Sequence, residues 1–340
     1  MGVTFLIGNG FDLNLGMKTR YTDMYDSYIK SESKSTVIDK FKRDLQKEEH
    51  NHYQNWSDFE MGMARYAKNF TDERKFIECI RDFKAHMVRW LKDEEDILLK
   101  NFWSKVNYDS ILDSIANFHY GCTPNIRYEI EKVMIVKGFC KCSFITFNYT
   151  TILDEILPEI SGEYVSDSNT KFDIDENIIH IHGDLDNDVV LGVDNKGQIT
   201  SNFEITQKTN RAFIKPEFNR EFDRRRIDNS IKLINGNSVI CAYGLSLGES
   251  DSMWAKTLKD WLLTNPQHHL VYHVYEENQI PSYNYDEKME KEEELKEDIY
   301  KKLKLTDAQI LSVKNKIHIP VSYNIFDFMI QDNEKELATV

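Results

Sequence analysis

The sequence predicts an α/β fold with a mostly parallel sheet. Short apolar runs of strand length recur along the chain, and several are nearly continuous, as expected for strands buried on both faces. Segments of helical periodicity separate them, the alternation typical of a parallel sheet covered by helices. The predicted strands cover 3–7, 143–147, 178–182, 189–191, 238–243, 269–274 and 317–321, and the helices between the later strands cover 151–157, 216–234 and 253–264.

The first predicted strand, residues 3–7, runs into a glycine turn that contains Gly8 and Gly10. Glycine lets the backbone approach a ligand closely, and a strand, glycine turn and helix in this order are typical of phosphate-binding loops. The third glycine, Gly16, follows the second by six residues, whereas the dinucleotide-binding pattern has three. A phosphate-binding turn and an ordinary strand-to-helix turn both fit this segment.

A helical insertion is predicted after this turn, over residues 21–137. Its apolar periodicity is clearest between 76 and 91, and no strand is predicted within it. We therefore expect a core formed by 1–20 together with 138–340. A second, charged helical insertion is predicted within that core at 281–315, because its dense glutamates and lysines are typical of a solvated helix.

The composition bounds the class of protein. A chain of 340 residues with 41% hydrophobic content can bury a substantial core, and a formal net charge of -14 argues against a general nucleic-acid or anionic-membrane surface. No apolar stretch approaches the roughly 18 residues that span a bilayer, and no signal-peptide layout is present, so we expect a cytoplasmic protein. The five cysteines form no C-x-x-C pair, which predicts reduced thiols and no structural zinc site.

Polar residues and glycines follow four of the predicted strands. Ligands of open parallel sheets bind beyond the carboxyl ends of the strands, so we expect these residues to share one site. In chain order the four groups are Gly8, Asn9, Gly10, Phe11 and Asp12; Thr146, Asn148 and Thr150; His182, Gly183 and Asp184; and Gly244, Ser246 and Asp251.

These motifs resemble the AbiH family of bacterial phage abortive-infection proteins, over nearly the whole chain. The resemblance rests on the glycine turn with Gly16, Thr19 and Tyr21, and on four later motifs. It implies a role in phage defence, with a phage-derived trigger, a partner protein or a second copy of the chain as candidate partners. The later motifs are Asn-Trp-Ser-Asp-Phe-Glu at 55–60, Phe-Asn-Tyr-Thr at 147–150, His-Gly at 182–183 and Tyr-Gly-x-Ser-Leu-Gly at 243–248.

The same skeleton is also remotely similar to the sirtuin-type NAD-binding fold, which implies a Rossmann-like core with NAD as ligand or substrate. By that similarity, Asn148 matches the asparagine of the catalytic pocket, His182 the general base, and Gly244 with Ser246 the contact to adenosine. Thr150 departs from the motif, and the cofactor loop and zinc cysteines of sirtuins are missing. The similarity therefore implies hydrolysis of the nicotinamide-ribose bond of NAD, without a metal, in place of protein deacylation.

The predicted catalytic residues are His182, Asn148 and Asp12. A histidine can accept a proton near neutral pH, and an amide can hold ribose hydroxyls or a water. Whether Asp12 or Asp184 supports the imidazole is left open. The predicted cofactor-binding residues are Gly8, Asn9, Gly10, Phe11, Asp12, Gly16, Thr19, Tyr21, Thr146, Asn148, Gly183, Gly244, Ser246 and Asp251.

Simpler roles are open for several of these residues. Asn148 could cap the helix that begins at 151, and Ser246 and Asp251 could form a turn and a helix N-terminal charge. His180 shares a strand face with His182, but a metal pair lacks a third ligand with suitable spacing. Residues 56–60 could close over the site or anchor the helical insertion on the sheet.

Two other functions compete with NAD hydrolysis. The substitutions at Asp12 and Thr150 suggest a nucleotide-sensing module that acts through a partner protein. The carboxylates of Asp12, Asp184 and Asp251 could hold magnesium in a metal-dependent nuclease, although the chain lacks a basic track for a nucleic-acid backbone, so nucleic acid is not an expected partner.

Overall fold

The computed structural model describes residues 2–49, 58–166, 169–275 and 279–328. Within them, seven strands form one sheet in the order β3-β4-β2-β1-β5-β6-β7. Every neighbouring pair is parallel except β3 and β4. The strands are β1 (Gly2–Ile7), β2 (Phe139–Thr146), β3 (Gly162–Val165), β4 (Lys171–His180), β5 (Val239–Tyr243), β6 (His269–His273) and β7 (Ile317–His318).

This topology confirms the predicted α/β fold with a mostly parallel sheet. When the six mutually parallel strands are numbered along the chain, their order across the sheet is 3-2-1-4-5-6. The chain therefore builds the sheet outward from β1 to β2 and β4, and then returns to the other side of β1 with β5. In such sheets the crevice at this reversal, beyond the carboxyl ends of the strands, is where ligands bind.

Helices fill the connections, as the periodicity predicts. Between β1 and β2 lie α1 (Gly10–Asn14), α2 (Tyr21–Lys30), α3 (Thr36–Glu49), α4 (Phe59–Tyr66), α5 (Glu73–Phe102), α6 (Tyr108–Asn117) and α7 (Pro124–Met134). The later helices are α8 (Ile152–Ile160), α9 (Gln207–Phe213), α10 (Lys215–Phe222), α11 (Arg224–Gly236), α12 (Ser252–Thr264), α13 (Tyr285–Lys302) and α14 (Asp307–Val313). None of the helices in the described ranges combines the length and apolar character needed to cross a bilayer.

Three apolar clusters hold these elements together. One face of the sheet packs against α6, α7 and α8, and the other against α11 to α14. The third cluster joins α2 to α5 with the segment 185–214. Part of the predicted insertion 21–137 thus covers the sheet, and part packs with a later segment of the chain. The predicted domain boundaries stay a prediction.

The strand predicted at 189–191 is wrong. These residues are buried but irregular in conformation, and Val189 and Leu191 pack in the third cluster, against the helices after β1. A short apolar run has the same sequence pattern whether it is a strand of the sheet or an irregular segment buried by helices. The strand predicted at 178–182 ends at His180 and begins earlier, at Lys171.

Two further strands differ from their predicted form. The antiparallel edge strand β3 was not predicted, because its residues are mostly exposed and form no apolar run. The last strand, predicted at 317–321, covers only Ile317–His318. The charged segment predicted to be helical at 281–315 contains α13 and α14, and Ile299 and Tyr300 on α13 are buried.

Candidate active site

A cavity of about 770 Å³ lies beyond the carboxyl ends of β1, β2, β4, β5 and β6. Helices α2 and α5 contribute the side chains of Tyr21, Met24, Met87, Trp90 and Leu91 to its wall, and α13 contributes another part. Its volume falls in the range of small-molecule sites, which is roughly 300–1,000 Å³. The cavity therefore combines the strand ends that the sequence singles out with helices far from them in the chain.

Most of the sequence-predicted site residues line this cavity. They come from four strand ends and from the segment that leads into α2, so the fold brings together residues up to 243 positions apart (Gly8 to Asp251). The lining residues among them are Gly8, Asn9, Gly10, Asp12, Thr19, Tyr21, Asn148, His182, Gly244, Ser246 and Asp251.

Phe11, Gly16 and Thr146 lie away from the cavity wall. Phe11 points into the apolar core, where its ring centroid is 5.6 Å from that of Phe326. Gly16 adopts a φ of +82° in the turn after α1, a conformation that suits glycine. The hydroxyl of Thr146 accepts a hydrogen bond from the Asn148 N–H at 3.1 Å, so it supports the site from behind.

Gly183 also lies outside the cavity lining, and its predicted role is wrong. The sequence suggests that this glycine leaves room for a ligand beside His182. The space that a Cβ would occupy at Gly183 is instead taken by the Asp188 carbonyl oxygen, 1.4 Å away, and φ is +74°. The glycine is needed for this close backbone approach.

The glycine turn packs directly against the end of β5. A Cβ on Gly8 would lie 2.5 Å from the Gly244 oxygen, and one on Gly10 would lie 2.4 Å from the Gly244 Cα. The N–H groups of Gly8 and Gly10 donate to the Tyr243 and Gly244 carbonyls at 2.9 and 3.0 Å, and that of Phe11 donates to the Gly8 carbonyl. These three N–H groups are therefore not free to hold a phosphate, and the glycines serve the contact between β1 and β5.

Asn148 and Asp12 form the centre of a buried polar cluster. The Asn148 side chain donates from Nδ2 to Asp12 Oδ1 at 3.1 Å, and the Thr150 hydroxyl donates to Asp12 Oδ2 at 2.8 Å. Burial raises the pKa of Asp12 to about 7 although both hydrogen bonds lower it. Asn148 Oδ1 is buried and has no hydrogen-bond partner among the described residues. Asn148 does not cap α8, whose N-cap is Thr151.

His182 lies against the Asp251 carboxylate. Its Nε2 is 3.1 Å from Asp251 Oδ1, a distance at which the protonated ring would form an ion pair, but the geometry is not that of a hydrogen bond. The imidazole also packs edge-on against Phe147, with ring centroids 5.6 Å apart. Burial and the nearby Lys215 ammonium lower the pKa of His182, so the ring is neutral at neutral pH.

Neither carboxylate considered from the sequence supports His182. Asp12 binds Asn148 and Thr150, and Asp184 accepts hydrogen bonds from the Asn187 side chain at 3.0 Å. The partner is Asp251. His180 is held by a different carboxylate, since its Nε2 lies 2.9 Å from Asp154 Oδ2, outside the cavity.

Lys215, which the sequence analysis missed, organises the carboxylates of the cavity. Its Nζ donates to Glu60 Oε2 at 2.8 Å, to Asp251 Oδ1 at 2.9 Å and to the Ser250 carbonyl at 3.3 Å, which uses all three ammonium protons. The one sequence signal for Lys215 is its position: it follows the apolar residues Phe213 and Ile214 and stands at the start of a helix, before Pro216.

The charges around Lys215 are strongly coupled. Burial alone would lower the pKa of Lys215 and raise that of Asp251, but their mutual attraction reverses both shifts, so both groups are charged. Burial raises the pKa of Glu60 to about 7 against the opposing effect of Lys215. Glu60 Oε1 accepts the Gly192 N–H at 2.9 Å, which ties α4 to the segment after β4.

The protein that carries this site has a recognisable family. A family model described as Bacteriophage abortive infection AbiH matches residues 4–273. The chain belongs to the AbiH family. The family implies a role in the abortive infection of phage-infected bacteria. No curated protein matches the chain.

The AbiH match extends from β1 to the end of β6, so it contains every sequence-predicted site residue together with Glu60 and Lys215. Helix α13, which completes one wall of the cavity, lies beyond it. Within the motif at 55–60, Trp56 lies outside the described residues. Asp58 accepts the Met61 N–H at 3.0 Å and caps α4.

Each of the three carboxylates considered for a metal-dependent nuclease binds a different partner in the protein. Asp12 pairs with Asn148, Asp184 with Asn187, and Asp251 with Lys215. In the described part of the chain, no group of three or more histidine, cysteine, aspartate and glutamate side chains is arranged to hold a metal ion.

Proposed function

We propose that this AbiH protein is an abortive-infection effector that binds NAD in the cavity and hydrolyses its nicotinamide-ribose bond. The observation that carries the proposal is the convergence of Asp12, Asn148, His182 and Asp251 on one cavity of the size of a nucleotide site. The strand order 3-2-1-4-5-6 supports it, because dinucleotide-binding Rossmann sheets have this order and bind their ligand at the same reversal.

The polar groups of the cavity suit an oxocarbenium-like transition state. Asp12, Asp58, Glu60 and Asp251 line it, and carboxylates stabilise a developing positive charge when they are aimed at it in advance. The unpartnered Oδ1 of Asn148 can accept a hydrogen bond from a ribose hydroxyl or from the attacking water. A site with this charge favours the cationic nicotinamide end of NAD.

We assign proton transfer to His182. Water adds to the ribose C1′, nicotinamide leaves with the electron pair of the broken bond as a neutral molecule, and the proton of the water passes to the neutral imidazole. Asp251 lies 3.1 Å from the ring and stabilises its cationic form, as carboxylates do in histidine-carboxylate pairs. ADP-ribose and nicotinamide are the products, and His182 returns the proton to solvent.

The pyrophosphate is expected to bind away from the glycine turn, because the N–H groups of Gly8, Gly10 and Phe11 are already used. Arg20 and Lys302 are the lining cations that lie outside the buried network around Lys215, although Lys302 also contacts Asp298 at 2.9 Å. We assign the phosphate contacts to these two side chains.

The proposal is tested by incubating purified protein with NAD and following nicotinamide and ADP-ribose by chromatography. His182→Ala should abolish release, whereas Asn177→Ala, at an exposed position of β4 outside the cavity, should leave it unchanged. Equal turnover by the unchanged protein, His182→Ala and Asn177→Ala would overturn the assignment of the site. Thermal-shift measurements on each variant distinguish loss of chemistry from loss of folding.

A second candidate function is a nucleotide-sensing module. The observation that favours it is the contribution of α2 and α5 to the cavity wall, since a bound nucleotide would contact these helices directly. Trp90 on α5 donates from Nε1 to the Lys18 carbonyl at 2.7 Å, and Lys18 lies in the segment that follows α1. A clear NAD-induced thermal shift without nicotinamide release would favour the sensor over the hydrolase.

A further inference from the structure

A second cavity, of about 360 Å³, lies between α5, the segment 189–191, α9 and α10. Its floor is apolar. Phe218 and the 66% exposed Phe222 stack at its edge with ring centroids 4.3 Å apart. The other apolar lining side chains are Ile80, Val189, Val190, Leu191, Ala212, Phe213 and Ile214.

The charged residues that line this cavity are all cations: Arg81, Lys84, Lys208 and Arg211. Arg211 is paired with Glu221 at 2.6 Å, but in the part of the chain that the structure describes neither Arg81 nor Lys208 has an ion-pair partner. Both are exposed. In a chain with a net charge of -14, an apolar cavity with a purely cationic lining is a local exception that favours a negatively charged partner.

The segment 189–192 is hydrogen-bonded to residues that line the first cavity, and three of its residues line the second. The Val190 N–H donates to the His182 carbonyl at 2.7 Å, and the Val190 carbonyl accepts the Tyr149 hydroxyl at 3.2 Å. The next contact along the segment is the Gly192 N–H to Glu60. The Lys84 ammonium donates to the Val189 carbonyl from the second cavity. One short stretch of backbone therefore contacts groups of both cavities.

We propose that the second cavity is a docking site for an acidic peptide segment of a partner protein, and that its occupation is transmitted through residues 189–192 to His182. A bulky apolar side chain of the peptide inserts between Phe218 and the segment. Flanking carboxylates face Arg81 and Lys208. The apolar floor offers few donors or acceptors that could form hydrogen bonds with a base or a sugar, which favours a peptide over a nucleotide. This inference does not depend on NAD hydrolysis.

The binding is tested by fluorescence anisotropy with a labelled Glu-Asp-Glu-Phe-Asp-Glu peptide at low salt. We expect saturable binding that Arg81→Glu with Lys208→Glu weakens at least about tenfold, and that Phe222→Ser also weakens. The matched control is Lys232→Glu with Lys314→Glu, which makes the same change of charge at exposed positions outside both cavities. A peptide with serine in place of phenylalanine should bind at least about tenfold more weakly.

Three results would overturn the docking site: no binding by the acidic phenylalanine peptide, equal weakening by the control pair, or equal binding of the serine peptide. The connection to His182 has its own readout in the histidine ring signals of the NMR spectrum, assigned by comparison with His182→Gln. We expect the His182 signal to shift on saturation with peptide. Saturation that leaves this signal unmoved would overturn the transmission.

Discussion

Lys215 Nζ lies 2.9 Å from Asp251 Oδ1, the same oxygen that lies 3.1 Å from His182 Nε2. This carboxylate oxygen of Asp251 thus contacts both the imidazole of the candidate site and the Lys215 ammonium group, which donates all three of its protons in hydrogen bonds. Because the ammonium group is also held by Glu60, the position of Asp251 depends on a residue of α4. The segment after β1 and the two strand ends that carry His182 and Asp251 are connected through these charges.

Replacing Lys215 should be strongly destabilising. Lys215→Met would leave Glu60 and Asp251 buried without their counter-charge, and breaking a buried pair from one side costs about 3–5 kcal/mol. Urea unfolding at pH 7 measures this loss in the free energy of unfolding. The double variant Lys215→Met with Glu60→Gln should recover part of it, because one of the uncompensated carboxylates is then removed. Equal stability of the single and double variants would contradict the network.

The contact of the glycine turn with β5 predicts opposite effects for two alanine substitutions. Gly10→Ala would place a Cβ 2.4 Å from the Gly244 Cα and should lower the free energy of unfolding by about 1–3 kcal/mol. Gly236→Ala, at the last residue of α11, places a Cβ that meets no described atom within 4 Å outside its own helix backbone and chain neighbours, and should be neutral or stabilising by up to about 1 kcal/mol. Similar unfolding midpoints for the two variants would show that the contact is relaxed at little cost.

The strand ends were predictable, whereas the charge network was not. Apolar runs mark β1, β2, β5 and β6 because both faces of these strands are buried, and ligand sites of parallel sheets follow from topology. Lys215 meets Glu60 across 155 positions and Asp251 across 36, and no local pattern relates them. The strand predicted at 189–191 is wrong for the same reason: helices distant in the chain bury this run, and no local pattern shows that.

Asp12 should make stability fall as the pH rises. Its carboxyl titrates near 3.8 when exposed, and burial raises the pKa in the folded protein to about 7. Between these values the unfolded chain loses the proton while the folded protein keeps it, so the free energy of unfolding decreases with pH and levels off above about 7. The loss from this group over the whole pH range should be about 4 kcal/mol.

The comparison of Asp12→Asn with the unchanged protein isolates this effect, because Glu60 titrates in both. Urea unfolding at pH 5 and pH 8 should show a larger loss of stability in the protein that retains Asp12. An equal loss in the two proteins would mean that the carboxyl of Asp12 is ionised in the folded state at both pH values.

Asn148 should be required for NAD hydrolysis through its free oxygen. Asn148→Ala removes both the unpartnered Oδ1 and the hydrogen bond to Asp12, and we expect kcat/KM to fall by about 10²-fold or more. Thr151→Ala is the matched control, since this residue occupies the N-cap position of α8 beside the site, donates its hydroxyl to Glu95 and does not line the cavity. Turnover by Asn148→Ala at the level of this control would remove Asn148 from the catalytic residues.

Asp251 should set the pH at which His182 loses its ability to accept a proton. The neutral imidazole is the active form, so the rate of NAD hydrolysis should fall on the acid side of the His182 pKa, which burial and Lys215 hold below its usual value. Asp251 opposes that lowering. Asp251→Asn should therefore move the acid limb of the kcat/KM profile to lower pH while reducing the plateau, because the cationic ring formed during proton transfer loses the carboxylate that stabilises it.

The direction of this movement separates proton transfer from a purely structural role of Asp251. A merely loosened site would lower the rate equally at every pH, and the acid limb would stay in place. The matched control is Glu94→Gln, which changes a half-buried carboxylate that accepts the Lys18 N–H at 2.8 Å and does not line the cavity, and it should leave both limb and plateau unchanged. A limb that moved to higher pH in Asp251→Asn would contradict the pairing of Asp251 with His182.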